Sequence, residues 1–350
     1  MGGIVALNSP AARIAAIAAV PLILAAGFAL AGGWIGLPRL GGATLADALE
    51  DNGGIHPQFR RAHAKGLCFA GHFTANGAGQ ALSSAGALRA GTYPVFGRFS
   101  TGGGNPLAGD GRNVFHAMAL QITAGDGQVW RMALDHTPIF PVATPQAFVA
   151  LQVAGTPDPA TGKPDPAKMK AYLAGHPETR AYQAYIAAAT LPDSFANGTY
   201  YSINAFRLVD AAGQRRTVRW WFAPAAPLHG LDKAHLADLP RDYLFDEMTA
   251  RLGKGAARWT MVVQLAAPGD RTDNATVQWP ADRQTVAVGE LTIERTSPEA
   301  NGPCRDVTFD PTIVPAGVGL SDDPLLAARS AAYAVSFRRR ALESALAKGN

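Results

Sequence analysis

FHAMALQIT at 115–123 and QVWRMALDHTP at 128–138 alternate apolar and polar residues, and each run ends in turn residues. A period of two sends successive side chains to opposite faces of a pleated strand, so each run reads as a strand with one buried face. Upstream, GLCFAGHFTANG (66–77) and TYPVFGRFST (92–101) read the same way. A second series follows: TYYSINAFRLVD (199–210), TVRWWFAP (217–224), RWTMVVQLAAP (258–268) and VAVGELTIERT (286–296). Eight candidate strands in two groups of four predict a closed antiparallel barrel, because closure leaves no exposed strand edge.

Helical spacing lies between and after these groups. TPQAFVALQVAG (144–155), PETRAYQAYIAAAT (177–190) and HLADLPRDYLFDEMTARLG (235–253) place apolar residues at three- and four-residue steps. TLADALEDNG, with Thr44 as the expected N-cap, is a short amphipathic helix. A last helix is expected from Asp322 to about Ala347, opened by SDDP with a serine cap. The Pro-, Gly-, Asp- and Lys-rich segment 156–176 is expected to be a loop. The expected class is α+β: an antiparallel eight-stranded β-barrel with inserted and C-terminal helices, preceded by an N-terminal hydrophobic helix.

Composition agrees with a packed barrel. Of 350 residues, 48% are apolar and 17% charged, against roughly 25% charged in average soluble chains, which excludes disorder as the main state. Glycine (38) and proline (25) favour many turns, and 8% aromatics give a nucleic-acid stacking surface little support. No nucleic-acid partner is expected. The net charge is +4, but the basic residues are scattered, with Arg338-Arg339-Arg340 the only tight cluster. Cys68 and Cys304 cannot make a disulfide framework or a four-ligand zinc site; they either pair once or stay buried as small apolar residues.

Between Arg13 and Arg39 the 25-residue run IAAIAAVPLILAAGFALAGGWIGLP carries no charge. As a helix it would be about 37 Å long, enough to cross a hydrocarbon core of about 30 Å. Ala29-Leu30-Ala31 equally fits a signal cleavage site. Either way the rest of the chain is exported, since the nearby positive charge precedes the run. The expected organisation is a signal or anchor over 1–40 and one domain over 41–350. The expected location is periplasmic, either soluble after cleavage or held at the inner membrane by residues 14–38.

Common catalytic motifs are missing from the sequence. The glycines at 102–111 are not followed by Gly-Lys-Ser/Thr, so they form no phosphate loop. Neither G-x-G-x-x-G after a strand, nor H-E-x-x-H, nor G-x-S-x-G occurs. Chemistry must come from a looser constellation or a borrowed cofactor.

Five segments supply that constellation: RRAHAKG (60–66), FGRFST (96–101), DHTPIF (135–140), FDPTIVP (309–315) and RSAAY (329–333). In this order and at these distances the set resembles the haem catalase family, from about His56 to Arg340, with WTMVVQ (259–264) and VQWP (277–280) as subsidiary matches. The resemblance implies an eight-stranded barrel binding haem b between the barrel and the last helix. Tyr333 matches the family's axial ligand to iron, and Arg329, one helical turn earlier, its guanidinium partner. A free phenol has a pKa near 10, so iron and the neighbouring cation together must favour the phenolate. His63 matches the distal histidine that takes a proton from peroxide and returns it to the leaving oxygen, which leaves an oxoferryl haem. Ser100 matches a serine that fixes the tautomer of that imidazole. Arg60, Arg98 and Arg340 match arginines that pair with haem propionates; Arg338 and Arg339 keep the reading of a solvated helix end. Phe148 matches an aromatic stacked on a pyrrole, and Phe140 and Ala62 match distal-channel positions.

Two departures matter. Asp135 stands where the family has a distal asparagine, and an ionised carboxylate accepts hydrogen bonds but donates none. A protonated Asp135, or His136 beside it, would have to restore the donor. The chain also stops soon after the tyrosine helix, which is similar to the small, exported branch of catalase-related peroxidases. That branch implies reduction of organic hydroperoxides with an external electron donor, and weak dismutation of hydrogen peroxide. The alternatives are a small catalase, a non-catalytic haem carrier, which the retention of His63 argues against, and an enzyme that rearranges lipid hydroperoxides. The electron donor is left unnamed and the oligomeric state open, a homo-oligomer included.

Overall fold

The alternating segments close on themselves. In the computed structural model, which describes residues 10–31, 40–112 and 115–349, the strands are β1 (Gly66–Ala75), β2 (Gly91–Thr101), β3 (His116–Thr123), β4 (Val129–Asp135), β5 (Tyr200–Tyr201), β6 (Phe206–Val209), β7 (Arg215–Pro224), β8 (Ala257–Leu265), β9 (Thr285–Pro298) and β10 (Val318–Leu320). Among the described residues, eight of them form an antiparallel ring in the order β1-β2-β3-β4-β5-β7-β8-β9, with β9 pairing back onto β1. β6 and β10 extend outward from β7. The barrel is filled by large side chains, including Trp130, Trp220, Trp259 and Phe99, all at most 2% exposed. Each contributes about 1.5–3 kcal/mol or more by leaving water.

The segment expected as one strand over 199–210 is two. β5 and β6 both pair with β7, but the chain between them turns through Ile203, whose φ is +46°. A β-branched residue is strained there. The break brings Asn204, fully buried, under the last helix, where its amide binds two side chains described below.

The helices are α1 (Pro10–Ala31), α2 (Gly42–Gly53), α3 (Pro145–Gly155), α4 (Pro166–Gly175), α5 (Pro177–Ala188), α6 (Tyr243–Leu252) and α7 (Pro324–Gly349). Several sequence expectations are corrected. The supposed loop 156–176 contains α4, because Asp165 caps it through Ala167 N at 2.8 Å and Pro166 opens it. The helix expected over 235–253 is a 3₁₀ turn, Lys233–Asp238, and then α6; Pro240 between them cannot continue a helix. The cap of α7 is Asp323, which accepts from Leu325 N at 3.0 Å, while Ser321 only accepts from Asp323 N. α2 begins at Gly42 rather than after Thr44. A Cβ on Gly42 would collide with the Ala331 carbonyl, so this glycine lets α2 approach α7 closely.

The chain divides into two units, Met1–Leu40 and Gly41–Asn350. Among the described residues no helix is long and apolar enough to cross a membrane, so the spanning anchor expected for 14–38 finds no support; 32–39 lie outside the described residues. In the larger unit Cys68 and Cys304 form a disulfide with Cα atoms 5.5 Å apart, which settles the alternative the sequence left open.

Candidate active site

α7 sets one wall. Arg329 and Tyr333 are four residues apart and therefore share a face. Arg329 Nη2 donates to Tyr333 Oη at 3.2 Å, with the guanidinium 5.9 Å from the phenol ring centroid. The same guanidinium donates to Asn204 Oδ1 at 2.7 Å and to the Ala133 carbonyl of β4 at 3.4 Å. Asn204 in turn donates to Asp323 Oδ2 at 2.8 Å. Burial works against the Arg329 charge, but Tyr333, Asp135 and Asp323 outweigh it and raise its pKa above the ordinary value. A permanent cation thus faces the phenol oxygen.

The opposite wall carries His63, held in the left-handed region at φ +53° just before β1. Such a conformation is uncommon for a residue with a side chain and marks a position fixed by its surroundings. Its Nδ1 lies 3.4 Å from Ser100 Oγ on β2, and its ring lies 5.6 Å from that of Phe115. Burial, with Arg98 and Arg329 nearby, lowers the His63 pKa to about 3. The imidazole is therefore neutral at physiological pH. Asp135 closes β4. Burial raises its pKa to about 6, with Arg329 opposing. His136 does not join it: its Nδ1 sits 3.1 Å from the His116 backbone, and the residue borders a separate hollow. It cannot supply the donor that Asp135 lacks.

Between the walls are two adjoining hollows, both bordered by Ala62, His63, Asp135, Arg329 and Tyr333. Ser100, Arg60, Arg98 and Arg340 line the first; Phe140 and Phe148, whose rings are nearly parallel 6.3 Å apart, line the second. The structure thus gathers every site residue named from the sequence around one continuous space. Arg338 and Arg339 are not among its lining residues, and Arg339 pairs with Asp47 and Glu50 of α2.

The arginines converge on a carboxylate that sequence reasoning missed. Glu299 accepts from Arg60 Nε at 3.2 Å and from Arg98 Nη2 at 2.6 Å. Burial and the neighbouring Arg98 push the Arg60 pKa down to about 9, and burial also lowers that of Arg340. Burial disfavours the Glu299 carboxylate as well, but Arg98 and Arg60 keep its pKa below the usual range. Three guanidiniums and one carboxylate leave two positive charges uncompensated. Arg98 Nε and Arg340 Nε are buried without a hydrogen-bond partner. A flat dicarboxylate with an apolar body, a porphyrin, meets these requirements: two cationic contacts, apolar walls, and a phenol oxygen on one side. The residues present fit that group. Tyr182, also missed, borders the larger hollow; burial and the nearby Asp135 hold its phenol protonated. Glu299 follows the last barrel strand, far in sequence from Arg60 and Arg98, so no local count of charges marks it. Nothing in the local sequence marks Asn204 or Tyr182.

The sequence profile of the catalase family matches residues 56–345. The chain belongs to the catalase family. It is 36% identical over 296 residues to a catalase-related peroxidase of Synechococcus elongatus, covering 85% of this chain and 87% of that one. To a catalase-related peroxidase of Mycolicibacterium paratuberculosis it is 34% identical, covering 84% and 93%. Among solved structures it is similar to a fungal catalase (TM-score 0.75, 19% identity over 85% of this chain) and a bacterial catalase (TM-score 0.73, 22% identity over 87%). The chain spans 62% of the length of each, and at these identities the likeness concerns the fold.

Proposed function

We propose that this catalase-family protein is a haem-dependent peroxidase that reduces organic hydroperoxides with electrons from an external donor, and dismutates hydrogen peroxide weakly. The observation that carries this reading is the Arg329–Tyr333 pair facing a neutral His63 across one hollow. The cofactor suited to the site is haem b, held without covalent attachment, since both cysteines are consumed by the disulfide. Tyr333 would hold the iron, and Arg60, Arg98 and Arg340 the carboxylates. When bound, haem would supply the two electrons that cleave the peroxide O–O bond, which the external donor then restores.

The chain's own residues handle binding and protons. Arg329 donates to the phenol oxygen and sets a buried cation beside it. His63, neutral in the resting site, accepts the proton of the peroxide oxygen at the ring nitrogen away from Ser100, and returns it to the oxygen that leaves as alcohol or water. Ser100 holds the other nitrogen and so the tautomer. Asp135, with a pKa near 6, is mostly ionised at pH 7 and offers peroxide no donor. That difference from an amide supports peroxidase over catalase activity, as do the relatives named catalase-related peroxidases.

Steady-state assays with cumene hydroperoxide and a dye donor, beside oxygen evolution from hydrogen peroxide, test the reading. Donor oxidation with little oxygen release is expected; rapid oxygen release with no donor oxidation overturns it. We also propose export of residues 41–350. The charge-free run before them and the buried disulfide support this, since disulfides persist in oxidising compartments. Mass spectrometry of the mature amino terminus checks whether 1–40 are removed.

A further inference from the structure

The segment from Glu299 to Val307 follows β9 and carries most of the contacts that aim the arginine cradle. The Glu299 carboxylate binds Arg60 and Arg98. The carbonyls of Cys304, Arg305 and Val307 accept from Arg60 Nη2 at 2.9, 3.2 and 3.0 Å. The Arg305 carbonyl also accepts from Arg340 Nη1 at 3.0 Å. One short strap thus orients all three guanidiniums, and three of its four contact points are bare backbone. Backbone carbonyls hold a cation in place only where the backbone itself is fixed.

The strap is fixed to the barrel at Cys304. Its sulfur is bonded to Cys68 on β1, and the Cys304 N–H donates to Cys68 Sγ at 3.2 Å. Both cysteines are fully buried, packed with Phe309 beside Phe96 and Val307. The strap lies against the disulfide so closely that a Cβ on Gly302 would sit 2.5 Å from Cys68 Sγ and 2.7 Å from the Pro298 carbonyl. The bond closes a sequence separation of 236 residues at the point where the strap holds the cradle.

We propose that the Cys68–Cys304 disulfide is a positioning element of the cofactor site, locking the 299–307 strap so that Arg60, Arg98 and Arg340 meet the two carboxylates of the porphyrin. This rests on the haem reading above and adds a requirement: tight cofactor retention depends on an intact disulfide. Partners that orient the groups binding a metal centre typically cost 10–100-fold in affinity when removed, which sets the scale.

The test is a Soret titration of the full chain with ferric haem and, separately, with its dimethyl ester, which lacks the carboxylates. Wild type is compared with a Cys68→Ala/Cys304→Ala variant, well below the melting transition of each by circular dichroism. Haem affinity is expected to fall about tenfold or more in the variant, and affinity for the dimethyl ester to stay unchanged. A Gly302→Ala variant, which wedges the strap away while the disulfide remains, should show the same carboxylate-specific loss and serves where the double variant does not fold. Equal haem affinity in variant and wild type overturns the proposal; so does equal loss for haem and ester, the mark of a merely structural bond. Wild type that takes up no haem overturns the functional reading, and this inference with it.

Discussion

In the proposed peroxidase, Asp135 is the residue on which substrate preference turns. Its carboxyl, raised to about 6 by burial, stands where a distal amide would donate to peroxide. Asp135→Asn should increase oxygen evolution from hydrogen peroxide at pH 7, and the activity step expected near pH 6 in wild type should vanish from the variant's profile. An unchanged profile would assign that step to another group. His63→Ala should keep the Soret band and lose peroxide reactivity by about 10²–10⁴-fold, the usual contribution of a positioned proton-transfer group; stopped-flow mixing with cumene hydroperoxide reads it. The gathering of His63, Ser100, Arg329 and Tyr333 around one hollow was legible because each sits in a short motif of fixed order. The protonation of His63 was not. The shift of His63 to about 3 comes from burial and from Arg98 and Arg329, residues remote in sequence that only the fold brings near.

At the scale of elements, alternation placed the strands well because one face of each packs into the barrel. The exception is instructive. TYYSINAFRLVD alternates well enough to read as one strand, yet its middle is diverted so that Asn204 can bind Arg329 and Asp323, a tertiary demand no local pattern announces. Asn204→Ala should leave a buried cation and a buried carboxylate each short of a partner and cost about 1–3 kcal/mol in urea unfolding. An unchanged midpoint would show that water or side-chain movement replaces the amide. Helix α4 was missed for the opposite reason: the polar composition of 156–176 hid an Asp-Pro start that caps a helix well.

At the scale of the whole molecule, burial of neutral imidazoles links folding to pH. The pKa values of His63, His116 and His136 are lowered to about 3, 3 and 4, chiefly by burial. The unfolded chain, with imidazoles near 6.5, binds more protons, so this stabilisation is complete above about pH 6.5 and is lost as pH falls towards the folded values. Asp135, raised to about 6, acts oppositely: its contribution is present at low pH and is lost as pH rises through 6. Asp110 and Asp323, also raised by burial, act in the same sense as Asp135; with the three imidazoles taking up their protons between pH 7 and 5 on unfolding, the cofactor-free protein should melt at a lower temperature at pH 5 than at pH 7. His116, with both ring nitrogens unpartnered, is the cleanest probe. His116→Leu should narrow that difference in calorimetry, whereas an unchanged difference would locate the pH dependence elsewhere.

The iron-ligand role proposed for Tyr333 is the central claim, and the absorption spectrum of the haem-loaded protein tests it most directly. Wild type should show a Soret band and the charge-transfer features of a ferric phenolate complex, and Tyr333→Phe should lose those features or the haem itself. A spectrum identical in wild type and variant would contradict the account.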